Sequence, residues 1–289
     1  MISPGLRLRL EAVLEGEIEN AVALAGGCLF DVRAVTLADG RRVVVKTGAS
    51  RVAAHLALEA RMLADLAAAG APVPAVLHAV GDLLVLAHVD HDASGLSASG
   101  RERLAATLAE LHAQAGPSFG YAYDTVIGTL PQPNPPTARW LDFFRDQRLL
   151  AQVLAASAEA ALEPDIAHGL DRLAARLDTW LVEPAHPSLL HGDLWQGNLL
   201  TRAGLPVAWI DPAISFGHPE IELAFGTLFG PFDQGFVDLY AEHRPLEPGF
   251  WPERRAIYLL YPLLVHRRLF GRSYARPIRD ILRSLGCAG

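Results

Sequence analysis

The chain has 289 residues, enough for a large core or for two lobes. It is 51% hydrophobic and 20% charged, which is a globular composition and excludes a disordered chain. Its net charge of -7 argues against a general nucleic-acid-binding surface, and its two cysteines, Cys28 and Cys287, exclude a disulfide framework or a zinc site and fit a reducing, cytoplasmic setting.

Residues 5–14 carry apolar positions at helical spacing and predict a short helix. The stretch 21–48 reads as strand, Gly-rich turn, strand, Asp39–Gly40 turn, strand; Asp-Gly is a hairpin signal because both positions tolerate positive φ. Residues 50–70 are rich in Ala and Leu, open at a Ser50 cap and stop at Gly70, which predicts a helix. Two more strands flank Gly81–Asp82. From about 97 onward the pattern is helical, interrupted by a Pro- and Gly-rich loop at 115–136 whose length marks it as functional or mobile. Helices are expected over 137–155 and 158–182, then strand, loop, strand, turn and strand over 188–213. The remainder reads as helical, broken at Pro245, Pro248, Pro252 and Pro262. Residues 254–283 hold eight arginines and one acid, Asp280, read as a solvated helix face or, more sharply, an anion-attracting wall. The N-terminal stretch lacks the continuous apolar core of a signal peptide, and apolar runs such as 256–265 are too short to span a bilayer.

The expected fold is therefore α+β and two-lobed. A five-stranded antiparallel sheet with one main helix occupies 1–88. A larger, mainly helical lobe occupies 89–289.

The chemistry concentrates in "HGDLWQGN". Asp193 and Asn198 are five residues apart, the spacing between the base and the metal-binding Asn of a kinase catalytic loop. Asp211 closes the apolar strand "PVAWI", where a second metal-binding carboxylate belongs. Magnesium takes few protein ligands and keeps phosphate oxygens and waters, so Asn198 and Asp211 suffice. Lys46 is the only lysine in the chain and ends the Val-Val-Val strand. A lysine there pairs with the α/β-phosphates of ATP and is held by a helix glutamate, for which Glu59, 13 residues on, is the candidate. Backbone N–H groups of the Gly26–Gly27 turn are placed to cover the phosphates.

These stretches resemble the fructosamine kinase (ketosamine-3-kinase) family, within the wider aminoglycoside phosphotransferase and choline kinase group; the resemblance implies a protein-kinase-like two-lobed fold, with 1–88 as the nucleotide-binding lobe and, in 89–289, the catalytic loop at 191–198 and a metal-binding strand end at 211. The resemblance runs nearly end to end, through "GGCLF", "VVVKT", "LAELH", "FGYAYDTVIGTLPQPN", "HGDLWQGN" and "GHPEIELA". It implies Asp193 as catalytic base, Asn198 and Asp211 as Mg²⁺ ligands, Lys46 orienting phosphates, and Leu86-Ala87-His88 as the adenine hinge, with Ala87 where members usually carry an acid. It implies transfer of the ATP γ-phosphoryl group to the 3-hydroxyl of a ketosamine, on a small amine or a glycated protein lysine, giving a product that sheds its sugar. Trp195 offers a flat face to a sugar and His218 borders the substrate or supports the metal loop, each against a purely structural role. Cys28 matches a nucleotide-loop cysteine linked in some members to redox-sensitive dimers, so the expected state is a monomer or such a dimer, with neither nucleic acid nor membrane as partner. Two alternatives stay open: a related kinase for an aminoglycoside, choline or homoserine, and a catalytically inactive binding module on the same fold.

Overall fold

The computed structural model describes residues 2–24, 30–49, 53–92, 94–159 and 162–288. Gly26, Gly27, Cys28 and the Ser50 cap lie outside the described residues. The chain divides into two compact units. The first comprises Met1–Ser94 with Leu200–Ala203 and Val207–Asp211; the second comprises Gly95–Leu199, Gly204–Pro206 and Pro212–Gly289.

In the first unit, α1 (Pro4–Leu14) precedes β1 (Ile18–Ala23), β2 (Asp31–Leu37) and β3 (Arg42–Thr47). Then come α2 (Ala53–Ala68), β4 (Val76–Val80) and β5 (Leu83–Ala87). The strands form one antiparallel sheet in the order β1-β2-β3-β5-β4. Its two faces bury different helices. Val43 and Val45 pack with Val85 and with Leu10 and Leu14 of α1, whereas Leu84 and Leu86 pack with Leu56, Ala60 and Leu63 of α2, joined by Val44. Side chains alternate along a strand, so Lys46 shares the α2 face with Val44. The Asp39–Gly40 turn is looser than a two-residue hairpin. Gly40 alone of the pair takes positive φ, +86°, and Asp39 Oδ1 instead accepts from the Arg41 N–H at 2.9 Å. At the far end of α2, Gly70 at φ +82° lets the Ala71 N–H reach back to Leu66 O.

The second unit opens with α3 (Ala98–His112), capped by Ser97, whose Oγ accepts from the Gly100 N–H. The segment 115–136 is folded, with a small hairpin of β6 (Thr125–Ile127) and β7 (Leu130–Gln132). A continuous helix follows as α4 (Trp140–Phe143), a π-helical stretch (Phe144–Leu150) and α5 (Ala151–Ala158), then α6 (Pro164–Ala174). The expected second helix is therefore shorter at both ends: Pro164 opens it, as Pro does at a first turn, and Leu177–Thr179 is a separate 3₁₀ turn. Next come β8 (Ser188–Leu190), then β9 (Leu199–Arg202) and β10 (Leu205–Trp209), which fall largely to the first unit, and β11 (Ser215–Gly217), unanticipated and paired with β8. The helices α7 (Pro219–Gly226), α8 (Gln234–His243), α9 (Arg255–Phe270) and α10 (Ala275–Ser284) complete it.

Pro262 does not break α9, and Pro252 lies within the helical turn that leads into it. Every residue from Ile257 to Val265 is buried, so packing on all sides outweighs the lost hydrogen bond. The arginine-rich end is neither simply solvated nor an open basic wall. Arg254 and Arg267 are buried on Glu220 and Glu163, Arg268 pairs with Glu159, and Arg279 pairs with Asp165. Among the described residues, no helix is long and apolar enough to cross a membrane.

Candidate active site

In the first unit, three of the predicted residues meet. Lys46 is 7% exposed and its Nζ donates to Glu59 Oε1 at 2.6 Å and to Asp211 Oδ1. Glu59 falls on the buried face of α2, three residues after Leu56 and four before Leu63, so helix periodicity aims it at the same sheet face as Lys46. Burial pushes the Lys46 ammonium down, but the Glu59 and Asp211 carboxylates outweigh it and hold the group above its ordinary range. Burial pushes the Glu59 carboxyl up, with Lys46 pulling against it. Asp211 is a half-exposed carboxylate at φ +53°, a left-handed position that Asp tolerates better than most residues and that recurs at functional sites.

The candidate hinge residues Leu86, Ala87 and His88 lie at the end of β5. The Ala87 N–H donates to Ala75 O at 2.8 Å and the His88 N–H to Arg42 O at 3.3 Å. Both donors are committed inside the sheet, so an adenine drawing on these two N–H groups must displace them. Beside them, Arg42 bridges His88 Nε2 and Asp90 Oδ1.

In the second unit, the loop 191–198 is held on several sides. The Asn198 Nδ2 donates to Asp193 O at 2.8 Å and to Asp193 Oδ2 at 3.0 Å, which fixes the base candidate and leaves the Asn198 amide oxygen as the donor suited to a hard cation. The Asp193 N–H donates to His191 Nδ1 at 3.3 Å. Gly192 takes φ +87°, and a Cβ there would sit 2.0 Å from Ala213 O, so the position needs glycine twice over. The neighbouring "WQGN" has the same logic: a Cβ on Gly197 would lie 2.4 Å from the Trp195 ring, so the indole rests on the glycine.

Glu222 is the residue that the sequence reading missed. Fully buried on α7, it accepts from the His191 N–H at 3.1 Å and the Gly192 N–H at 2.6 Å, and from His112 Nε2 at 2.9 Å. Burial pushes the Glu222 carboxyl up, but its His112 and backbone hydrogen bonds outweigh that and hold it below the usual range. Burial also pushes His112 down, so it is a neutral imidazole. An ionised carboxylate can only accept, so His112 Nε2 carries the proton and Nδ1 accepts from Tyr240 Oη at 2.9 Å. The available signal was a pair of acids, Glu220 and Glu222, inside the otherwise apolar "PEIELAFG".

Trp195 is partly exposed and starts a row of rings: Phe229 lies 5.7 Å from it, His266 4.8 Å from Phe229, and Tyr274 5.1 Å from His266. His218 has a structural place in the fold. It is buried, caps α7 by accepting from the Glu220 N–H at 3.1 Å, and packs against Trp140 and Tyr258. Burial, with Arg254 and Arg244 nearby, pushes it down to about 3, which keeps the ring neutral.

Asn198 in the second unit carries an amide oxygen and Asp211 in the first a carboxylate, donor types that magnesium takes, and no cluster of three or more His, Cys, Asp or Glu that could hold a metal ion occurs among the described residues.

The sequence profile described as fructosamine kinase matches residues 7–286. A probable ketoamine kinase of Enterococcus faecium is 40% identical over 184 residues, which is 63% of this chain and 65% of that relative, just under two thirds of its length. A chloroplastic protein-ribulosamine 3-kinase of Oryza sativa subsp. japonica is 28% identical over 278 residues, covering 92% of this chain and 78% of that one. Among solved structures, a candidate fructosamine-3-kinase from Thermobifida fusca YX-ER1 superposes with a TM-score of 0.89 at 31% identity, over 99% of this chain and 100% of that chain.

Proposed function

We propose that this chain, which belongs to the fructosamine kinase family, transfers the γ-phosphoryl group of ATP to the 3-hydroxyl of a ketosamine, a fructosamine or ribulosamine carried on a small or protein-bound amine. The observation that carries the reading is the paired Asp193 and Asn198 on a loop that Glu222 grips by two backbone N–H groups. Phosphoryl transfer asks mostly for positioning and charge neutralisation, and a loop held this way supplies the positioning.

In this reading the Asp193 carboxylate accepts the hydroxyl proton as the sugar oxygen bonds to the γ-phosphorus and the bond to the departing ADP oxygen breaks. Lys46, oriented by Glu59, pairs with the α/β-phosphates. Asn198 and Asp211 are the residues to hold Mg²⁺, which when bound neutralises phosphate charge. The row from Trp195 to Tyr274 offers ring faces to the C–H face of a sugar and to a protonated amine.

The test is a panel of fructosamine, ribulosamine, aminoglycoside, choline and homoserine acceptors, scored for ADP release with Mg²⁺ and ATP. Turnover on a ketosamine is expected; turnover on an aminoglycoside with none on either ketosamine would overturn the reading.

A further inference from the structure

The Pro- and Gly-rich segment 115–136 has no role in the site described above, yet its last third is wired into the floor of the catalytic loop. Gln132 is 2% exposed and uses its amide on both sides. Its Nε2 donates to Ala213 O at 3.0 Å and to Thr125 Oγ1 at 2.8 Å, and its Oε1 accepts from Tyr261 Oη at 2.6 Å. Ala213 in turn donates its N–H to His191 O at 2.8 Å, and Ala213 follows Asp211 by two residues. Thr125 Oγ1 also receives Asn134 Nδ2, and Asn134 Oδ1 accepts from Arg148 at 2.7 Å.

Arg148 is buried on the π-helical stretch, with its guanidinium against the rings of Phe143 at 4.4 Å and Tyr261 at 5.6 Å. Among the described residues it has no carboxylate ion-pair partner; its other bonds go to the carbonyls of Pro133 and Gln147. A buried cation bonded only to neutral oxygens is costly, and it tolerates little movement of those oxygens. Gln132, Arg148 and Tyr261 line a cavity of about 20 Å³ together with Gly192 and Glu222, so this network and the catalytic loop face one another. That space suits roughly one water.

We infer that Gln132 is a positioning residue for phosphoryl transfer: the 125–134 segment is a buttress that holds Ala213, and through it the His191–Asp193 loop, in register. The inference rests on the kinase reading, because its consequence is a loss of turnover rather than of nucleotide binding. Gly-rich turns and Pro residues here serve a fixed shape: the Gly120 N–H bonds to Phe216 O, the Tyr121 N–H to Asn134 O, and a Cβ on Gly120 would come within 2.6 Å of Asn134 O.

The experiment compares Gln132→Glu, Gln132→Met and Tyr261→Phe with the unaltered protein. Gln132→Glu keeps the acceptor for Tyr261 but loses the donor to Ala213. The expected result is a drop in kcat of roughly tenfold or more for both Gln132 variants, with KM for ATP changed by less than about twofold. Tyr261→Phe keeps the ring and should lower kcat by roughly threefold in a folded protein whose melting temperature falls by only a few degrees. Amide hydrogen exchange reads the same anchor without turnover: residues 191–193 and 213 should exchange faster in each variant. If a Gln132 variant does not fold, Tyr261→Phe decides by both readouts. Unchanged kcat in folded variants, or unchanged protection at 191–193 and 213, overturns the inference. Loosened protection in a protein that phosphorylates no ketosamine would leave the buttress standing and sink the kinase reading instead.

Discussion

Lys46 shows how one residue type answers to geometry. Its ammonium reaches Glu59 and Asp211 together from a buried strand end. A compact, strongly hydrated point charge can serve two carboxylates and then phosphates, whereas a planar guanidinium needs a wider, forked partner. Lys46→Arg keeps the charge and should still lower kcat/KM for ATP by roughly tenfold or more; an enzyme with unaltered ATP kinetics would remove Lys46 from the phosphate-orienting role. This pair was legible in the sequence: strand alternation puts Lys46 on the α2 face and helical spacing puts Glu59 on the apolar side of α2. His218 was less so. A lone histidine in a motif does not reveal whether its ring is buried, and here it caps a helix.

At the scale of elements, α7 organises the catalytic loop. His218 caps it, Pro219 opens it, Glu220 is clamped by two Arg254 bonds of 2.7 Å, and Glu222 grips His191 and Gly192. Removing Glu222 leaves buried N–H donors and His112 without their acceptor. Glu222→Ala should therefore cost about 3 kcal/mol in denaturant unfolding, against about 0.5 kcal/mol or less for an ordinary surface substitution. A loss no larger than the surface value would mean that the loop is held elsewhere. Such long-range partners are hard to read from sequence because no spacing rule links positions 112, 191 and 222. The same holds for Gln132 and Arg148, whose significance depends on what tertiary packing brings to them. Helix ends failed for a related reason: Pro262 reads as a breaker, and only the all-round burial of α9 explains its place inside a helix.

For the molecule as a whole, the buried histidines make stability depend on pH with a definite sign. Burial holds His112 and His218 neutral when folded, His218 down to about 3, while an unfolded histidine titrates near roughly 6.5. Below that value the unfolded chain binds protons that the folded chain does not, so stability falls as the solution is acidified. The depressed Glu222 carboxyl acts in the same direction at lower pH. The raised Glu59 carboxyl acts the other way, so the histidines' share is read as a difference: the fall in denaturant midpoint from pH 7 to pH 5.5 should be smaller in His218→Asn than in the unaltered protein, and an equal fall would contradict the buried neutral assignment. The five strands along the chain and the helix after β3 were readable from turn residues and periodicity, whereas the pairing of β3 with β5 across α2 and β4 is set by no local pattern. The functional claim rests on a few side chains at widely separated positions, so its most direct measurement follows the transferred group. Incubation with Mg²⁺, ATP and a fructosamine or ribulosamine, with phosphorus–proton correlation NMR of the product, should place a new phosphate on the sugar C3 oxygen, and Asp193→Asn should abolish most of it, by roughly a hundredfold or more. A product unphosphorylated at C3, or an Asp193→Asn protein as active as the unaltered one, would contradict the account.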